Sequence, residues 1–283
     1  MTKPHVIAVV GPTASGKTAL AIKIAHERGG EIISADSRLV YKGFDVATAK
    51  PTMEEREGIP HHLIDIVEPE VDYSVGDFYR DAKPIIADII SRGKTPIVTG
   101  GTGLYFRILL EDFNLPQMEP NPELRAELEA LPVELLYEEI KSKDPITAEK
   151  VHINNKVRLV RVLEVMRTFG RPFSQVAGKK EDEYDVEWVS PQISSREILY
   201  ERINKRVDKM LENGLIEETR SLLEKHGRIK NFAKTIGYAE MLEYLDGFAT
   251  LEESIEKLKQ NTRRYAKRQL TWFRRNPELN MDY

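Results

Sequence analysis

The chain has 283 residues, room for one main domain plus an insertion or second lobe, and 41% of them are hydrophobic, enough for an ample core. Its 42 basic and 46 acidic residues leave a formal net charge of -4, which excludes an even coat of cations but permits a local basic face. There is no cysteine, so disulfides, thiol nucleophiles and cysteine-bound zinc are excluded, and the chain fits a reducing compartment. No apolar stretch is long enough to span a bilayer, and Met1-Thr2-Lys3-Pro4 enters the first strand without a signal-peptide core, so a cytoplasmic protein with no membrane partner is expected.

The apolar run from His5 to Val10 leads into Gly11-Pro12-Thr13-Ala14-Ser15-Gly16-Lys17-Thr18: a glycine, four residues, then Gly-Lys-Thr. Glycine lets the backbone curl so that successive N–H groups face an oxyanion. The Lys17 ammonium can reach terminal phosphate oxygens, the Thr18 hydroxyl can hold a magnesium ion, and the helix that starts there points its positive end at the anion. A β-rich run before the loop and the periodic Leu20, Ala21, Ile24 and Ala25 after it argue against a chance surface turn. The helix is expected over residues 17–28 and stops at Gly29-Gly30.

The strand Ile32-Ile33-Ser34-Ala35 delivers Asp36 and Ser37 at its end, and in a parallel sheet the carboxyl ends of strands are where ligands sit. Asp36 is therefore either a group beside the phosphates or a turn residue. Residues 38–60 carry Pro51, Gly58 and Pro60 and read as a long, functional loop with one short helix near residues 53–57. His61 and His62 open the run Leu63-Ile64-Asp65-Ile66-Val67; neighbours on a strand face opposite ways, so the pair does not grip one metal ion.

Ser74 and Asp77 make a capping box for a helix over residues 78–92, with Phe78, Ala82, Ile85, Ile86, Ile89 and Ile90 inward and a kink expected at Pro84. The strand Thr95 to Thr99 enters Gly100-Gly101-Thr102-Gly103, which is either a tight connection or a second element of the site that brings the Thr102 hydroxyl to the same end of the sheet. From Leu115 to about Trp188 the pattern turns helical, punctuated by Pro116, Pro120, Pro122, Pro132 and Pro145: an inserted helical lobe. Within it Arg158 and Arg161 share one helical face, as a solvated face or a phosphate grip, while Leu159 and Leu163 line another.

A last strand, residues 186–189, returns to the sheet, and Ser194-Ser195-Arg196-Glu197 caps a helix ending at Asn213-Gly214. It carries Arg202 and Arg206 one turn apart, as phosphate ligands or as partners of Glu201 and Glu212. Two more helices are expected. Thr250 caps the last, whose Lys257, Lys259, Arg263, Arg264, Lys267, Arg268, Arg274 and Arg275 alternate with Tyr265, Trp272 and Phe273 in a pattern suited to a nucleic-acid backbone. The fold class that follows is α/β: a P-loop NTPase-like parallel sheet flanked by helices, formed by residues 1–115 and 186–283, with a helical insertion over 116–185. These residues argue against a GTPase, since neither Asn155-Lys156 nor Asn204-Lys205 is followed two places on by aspartate.

Five motifs, in order, carry a resemblance: Gly11 to Thr18, Ser34-Ala35-Asp36-Ser37, Val40-Tyr41-Lys42-Gly43 with Thr48-Ala49-Lys50-Pro51, Gly100-Gly101-Thr102-Gly103-Leu104-Tyr105, and Lys234-Thr235-Ile236-Gly237-Tyr238. Over nearly the whole chain the sequence resembles the tRNA dimethylallyltransferases, the tRNA isopentenyltransferase family. The resemblance implies transfer of the dimethylallyl group of dimethylallyl diphosphate to the exocyclic amine of the adenosine just 3′ of the anticodon, with magnesium as cofactor and the protein a monomer. It implies a diphosphate cradle from Gly11 to Thr18, Thr18 as metal ligand, Asp36 as general base, and Thr102 and Arg206 steadying the diphosphate end, with Arg202 the alternative to Arg206. It further implies tRNA contacts at Asp36, Ser37, Arg38, Leu39, Thr102, Arg125, Val157, Arg158, Leu159, Val160, Arg161, Lys234 and Tyr238.

Three departures are visible. The family commonly has Gln at Leu39, Asp at Asn155 and Gln at Val157, all in tRNA-contacting segments. The zinc-finger extension of eukaryotic relatives has no counterpart here, so a bacterial-type enzyme is expected. The competing readings are a P-loop kinase of a small metabolite, a prenyltransferase of free adenine nucleotides, and a non-catalytic RNA-binding protein. The first two have no use for a basic terminal helix, and the third leaves the cradle and Asp36 unexplained.

Overall fold

The computed structural model describes residues 2–111, 113, 116, 118, 119, 121–178, 181–279 and 281. Leu115, the expected border of the insertion, and Pro120 lie outside them. The chain divides into two compact units, Met1–Leu110 with Glu183–Tyr283, and Glu111–Asp182.

The first unit is built on five parallel strands: β1 (His5–Val10), β2 (Gly30–Ser34), β3 (His61–His62), β4 (Thr95–Gly100) and β5 (Asp185–Val189), in the order β3-β2-β4-β1-β5. β1 is buried over five of its six residues, which is why it reads as an unbroken apolar run rather than an alternating one. Helix α1 (Lys17–Arg28) seals one face with Ala21, Ile22 and Ala25 against Ile7, Val9, Ile32 and Ile97. Helices α2 (Val75–Ser91) and α3 (Gly103–Leu110) cover the other, where Phe78 stacks on Tyr105 at 4.0 Å. The Ser74–Asp77 capping box is present, and α2 starts at Val75, earlier than expected, and continues through Pro84. Because β4 lies between β1 and β2, the loops leaving the carboxyl ends of all three strands emerge side by side.

The second unit is helical: α4 (Pro122–Ala130), α5 (Val133–Lys143), α6 (Pro145–Ala148), α7 (Lys156–Phe169) and α8 (Phe173–Val176) close over Leu128, Leu136, Ile140, Leu159, Val160 and Leu163. Asn155 caps α7 by accepting the Arg158 N–H at 3.2 Å. Aspartate performs the same capping, so the departure at this position leaves the helix start intact.

The chain then returns to the first unit with α9 (Arg196–Glu212), α10 (Leu215–His226), α11 (Lys230–Ala233), α12 (Tyr238–Leu245) and α13 (Leu251–Phe273). Among the described residues four helices therefore follow α9, not two; the short α11 and α12 carry too few residues for a periodic signal. These helices and the 38–60 loop share a second core in which Phe44 meets Tyr238 edge-on at 5.0 Å and Phe232 at 6.3 Å. The loop is thus anchored by burying its own aromatics. The helix expected near residues 53–57 is a succession of turns instead, with Glu57 and Gly58 both at positive φ.

At the opposite end of the strands from the carboxyl loops, the buried Glu31 carboxylate accepts from Arg92 at 2.5 and 2.9 Å, Lys94 at 2.7 Å and His62 at 2.9 Å. The Arg92 hydrogen bonds foremost, then Lys94 and His62, hold its carboxyl well below the usual carboxylate range. A depressed folded pKa gives stability that is present above the unfolded value and lost as pH falls through the folded one. Glu31→Gln is expected to destabilise the protein by about 1–3 kcal/mol at neutral pH. In thermal melts the gap from the wild type should narrow below about pH 4.

Candidate active site

The loop after β1 turns through Ala14 and Gly16, both left-handed (φ 61° and 93°), with Ser15 N–H donating to the Pro12 carbonyl at 3.3 Å. Gly16 begins α1 without a side-chain cap, and the first turn has no acidic residue, so the positive end of the helix faces the loop uncompensated. A Cβ on Gly11 would lie 2.8 Å from Ser15 Oγ, so a larger residue there would push the serine hydroxyl aside. Lys17 Nζ spans the loop to the Pro12 carbonyl at 3.2 Å. Burial pulls the Lys17 ammonium down to a pKa of about 8, helped by Arg206 and opposed by Asp36. The cradle thus presents N–H groups, a helix end and two cations to one point.

Beside it, the end of β2 is tied to the turn after β4. Ala35 N–H donates to the Thr99 carbonyl at 2.7 Å, Thr102 N–H to the Ala35 carbonyl at 3.2 Å, and Ser37 N–H to Thr102 Oγ1 at 3.1 Å. Asp36 Oδ1 accepts the Arg38 N–H at 2.8 Å, so the turn role open to this residue is real. It occupies one oxygen, and the side chain still lines the cleft. Gly100 is glycine because a Cβ there would sit 2.2 Å from the Ala35 carbonyl oxygen, a backbone atom. Gly100→Ala is expected to destabilise the fold by about 1–3 kcal/mol and to lower activity through the displaced Asp36, as a melt and a rate measured on one preparation will show.

These elements open on a cleft of ≈ 360 Å³ lined by Thr13, Lys17, Thr18, Asp36, Arg206 and Tyr265, among others. Arg206 reaches it from α9: Nη2 donates to the Thr48 carbonyl at 2.9 Å, while Nε is buried without a partner among the described residues. Burial lowers its pKa. Arg202 is exposed and does not line the cleft, and Glu201 pairs with Lys205 rather than with either arginine. The loop that carries Thr48 is held in turn by the Glu218 carboxylate, which accepts Val46 N–H at 2.8 Å, Ala47 N–H at 3.2 Å and the Tyr238 hydroxyl at 2.6 Å. Tyr238 is therefore fully buried beneath this loop, and its side chain is not on the cleft surface. Lys50, with its side chain only 5% exposed, clamps the same loop onto the Tyr41 carbonyl, Asp45 and Asp65.

Ser37, Arg38, Leu39 and Lys234 line the cleft too. The two histidines diverge as their register requires: His62 goes to Glu31, and His61 lines the cleft with its Nδ1–H on the Ile59 carbonyl at 2.8 Å. In the helical unit Val157 and Arg158 are exposed, whereas Leu159 and Val160 are 0% and 1% exposed in its core, which keeps their side chains from a partner. Arg125 and Arg161 both approach the buried Glu164, at 3.6 and 3.8 Å. On α13, Lys257 pairs with Glu243, Lys259 with Asp208, and Arg263 with the Asn204 side chain, so part of the cationic pattern is spent inside the fold.

Sequence reasoning missed Tyr265, Arg268 and Gln269 as cleft residues. A signal existed: Thr262 and Gln269 are polar residues at buried positions among Leu258, Ala266 and Leu270. Tyr265 lines the cleft together with Asp36, and burial foremost, then the Asp36 charge, raises its pKa so that the hydroxyl stays neutral. Among the described residues no cluster of three or more His, Asp or Glu side chains could hold a metal ion, and no helix is long and apolar enough to cross a membrane.

A parallel sheet with a Gly-x4-Gly-Lys-Thr cradle at its carboxyl edge defines a P-loop NTPase-like protein. The chain belongs to the IPP transferase family, whose model matches residues 39–276, while a second model, isopentenyl transferase, matches residues 4–68. The tRNA dimethylallyltransferase of Thermoanaerobacter sp. strain X514 is 46% identical over 279 residues, covering 95% of this chain and 89% of that protein. The solved full-length tRNA isopentenylpyrophosphate transferase of Bacillus halodurans is 43% identical, covers 98% of this chain and 88% of that one, and superimposes with a TM-score of 0.71. A eukaryotic dimethylallyltransferase solved acting on tRNA is 32% identical, covers 95% of this chain and 70% of that one, and has a TM-score of 0.83.

Proposed function

We propose that the chain transfers the dimethylallyl group of dimethylallyl diphosphate to the exocyclic amine of the adenosine 3′-adjacent to the anticodon of tRNA, releasing diphosphate. The observation that carries this reading is the meeting, in one cleft, of an anion cradle with Lys17 and Arg206 and of the single carboxylate Asp36 beside Thr102. A kinase would place the reacting phosphate there; in this family the cradle holds the leaving group.

As the amine nitrogen bonds to the allylic carbon, the carbon–oxygen bond breaks and its electron pair departs with the diphosphate. The chain's task is to receive that charge and one proton. The N–H groups of Gly16, Lys17 and Thr18 at the start of α1, the Lys17 ammonium and the Arg206 guanidinium are fixed before reaction, so they stabilise developing charge without reorganising. Asp36 takes the proton from the amine, and Thr102 and the turn it holds keep the carboxylate in place.

Magnesium fits the donor set in part: Thr18 is exposed at the cleft and Asp36 lies in the same lining. With so few protein ligands, most of the ion's coordination would come from diphosphate oxygens and water, which suits this cation. When bound it would supply further neutralisation of the leaving group.

Contacts to tRNA are assigned to Asp36, Ser37, Arg38, Leu39, Thr102 and Lys234 in the first unit and to Val157 and Arg158 in the helical unit, whose exposure supports the assignment. The backbone, not the side chain, is what Leu159, Val160 and Tyr238 can offer. Arg125 and Arg161 can give a phosphate the valence that Glu164 leaves over. A monomer suffices, because one chain lines the whole cleft, and tRNA as acceptor supports a cytoplasmic site of action.

The reading is tested by measuring diphosphate release from dimethylallyl diphosphate with unmodified tRNA, with AMP, and without acceptor, alongside ATP consumption. Release that depends on tRNA is expected. Release with AMP alone identifies a free-nucleotide prenyltransferase, and ATP consumption in its place identifies a kinase.

A further inference from the structure

The cradle and the second glycine turn are joined by a side chain that belongs to neither. Gln269 on α13 is 5% exposed; its Oε1 accepts the Thr13 N–H at 2.8 Å, and its Nε2 donates to the Gly101 carbonyl at 3.0 Å. One partner needs an acceptor and the other a donor, so among side chains of this length a carboxamide satisfies both, whereas a charged carboxylate does not. A Cβ on Gly101 would lie 2.0 Å from Nε2, and one on Gly103 would lie 2.2 Å from the Trp272 ring, three residues further along the same helix. The glycines of this turn are therefore shaped by α13, which arrives over it. The helix is held independently of Gln269, since Ala266, Leu270 and Phe273 bury their side chains in the main core.

We propose that Gln269 is a positioning residue that sets the spacing between the diphosphate cradle and the Thr102 turn. Gly101 precedes Thr102, Thr102 holds the backbone next to Asp36, and Thr13 opens the loop that carries Lys17. Through these two contacts the brace fixes how far the leaving diphosphate lies from the base. This rests on the prenyl-transfer reading. A misplacement on the order of 1 Å lowers such a reaction on the order of 10²-fold, and because Thr13 belongs to the cradle, loss of the brace also weakens the hold on diphosphate while leaving the RNA's own contacts in place.

The test compares the wild type with Gln269→Leu, Gln269→Glu and Gly101→Ala in melting temperature, calorimetric binding of inorganic diphosphate, and steady-state constants with dimethylallyl diphosphate and a tRNA anticodon stem-loop. Gln269→Leu and Gly101→Ala are expected to lose on the order of 10²-fold in kcat with the KM for RNA unchanged, and the losses should not add in the double variant, because both break one brace. Gln269→Glu keeps the acceptor; when protonated, the buried carboxyl also restores a donor to the Gly101 carbonyl, so its kcat relative to wild type should recover as pH is lowered. Wild-type kcat in Gln269→Leu, with at most a lower melting temperature, overturns the proposal. So does a loss that Gln269→Glu shares at every pH. If the wild type transfers nothing to tRNA, the functional reading fails by itself; weaker binding of inorganic diphosphate by Gln269→Leu then still supports the brace, and unchanged binding removes it.

Discussion

Replacing Asp36 by alanine is expected to lower turnover by about 10²- to 10⁴-fold while leaving affinity for the tRNA anticodon stem-loop close to that of the wild type. Asp36 has two jobs that truncation to alanine removes together: it lines the cleft as a carboxylate, and its Oδ1 holds the Arg38 N–H at 2.8 Å. Asp36→Asn separates them. The amide oxygen can still accept from Arg38, so the turn persists, but the group has no basicity with which to take the amine proton. Both variants should therefore lose turnover to a similar degree, with the asparagine variant melting like the wild type. Single-turnover rates with binding measured in parallel decide the matter. Retained turnover in Asp36→Asn would make the residue a turn former, and a collapse of RNA affinity in Asp36→Ala would make it mainly a binding contact rather than the base.

Lys17→Ala is expected to reduce kcat/KM for dimethylallyl diphosphate on the order of 10²- to 10³-fold, as removal of a preorganised charge donor does. A signature in pH accompanies it. Since burial and Arg206 bring the Lys17 pKa to about 8, the ammonium is lost as pH rises through that value, well before an exposed lysine would lose it. Wild-type kcat/KM should accordingly fall above about pH 8. Lys17→Arg keeps a charge at every accessible pH, so its activity, although lower for reasons of shape, should lack this decline. An equal decline in Lys17→Arg would place the titration on another group.

How much of this site could be read from the sequence depended on distance along the chain. The cradle was legible because its residues are contiguous and each has a local reason. Asp36 and Thr102 were legible because strand ends in a parallel sheet converge. Arg202 and Arg206 were inseparable in sequence, being one turn apart on the same helix; the Thr48 carbonyl, supplied by a loop 158 residues away, distinguishes them. Gln269 lies 256 residues from Thr13, and its neighbours Lys267 and Arg268 gave the helix a charged, solvent-facing appearance that concealed its inward stripe. Leu159 and Val160 were grouped with Arg158 by adjacency, whereas helical periodicity turns them into the core. The turns at residues 53–58 lacked an apolar stripe to distinguish them from a short helix; Thr52 N–H on Glu55 Oε2 at 2.9 Å and Arg56 Nε on the Pro51 carbonyl at 3.1 Å hold them instead.

The most direct test of prenyl transfer is mass analysis of a nuclease digest of unmodified tRNA after incubation with the protein, dimethylallyl diphosphate and magnesium. The account predicts that one fragment gains a single dimethylallyl group, located on the adenosine 3′ of the anticodon, and that a tRNA with guanosine at that position gains none. Unchanged RNA masses in the presence of active, folded protein, or a gain at other positions, would contradict it.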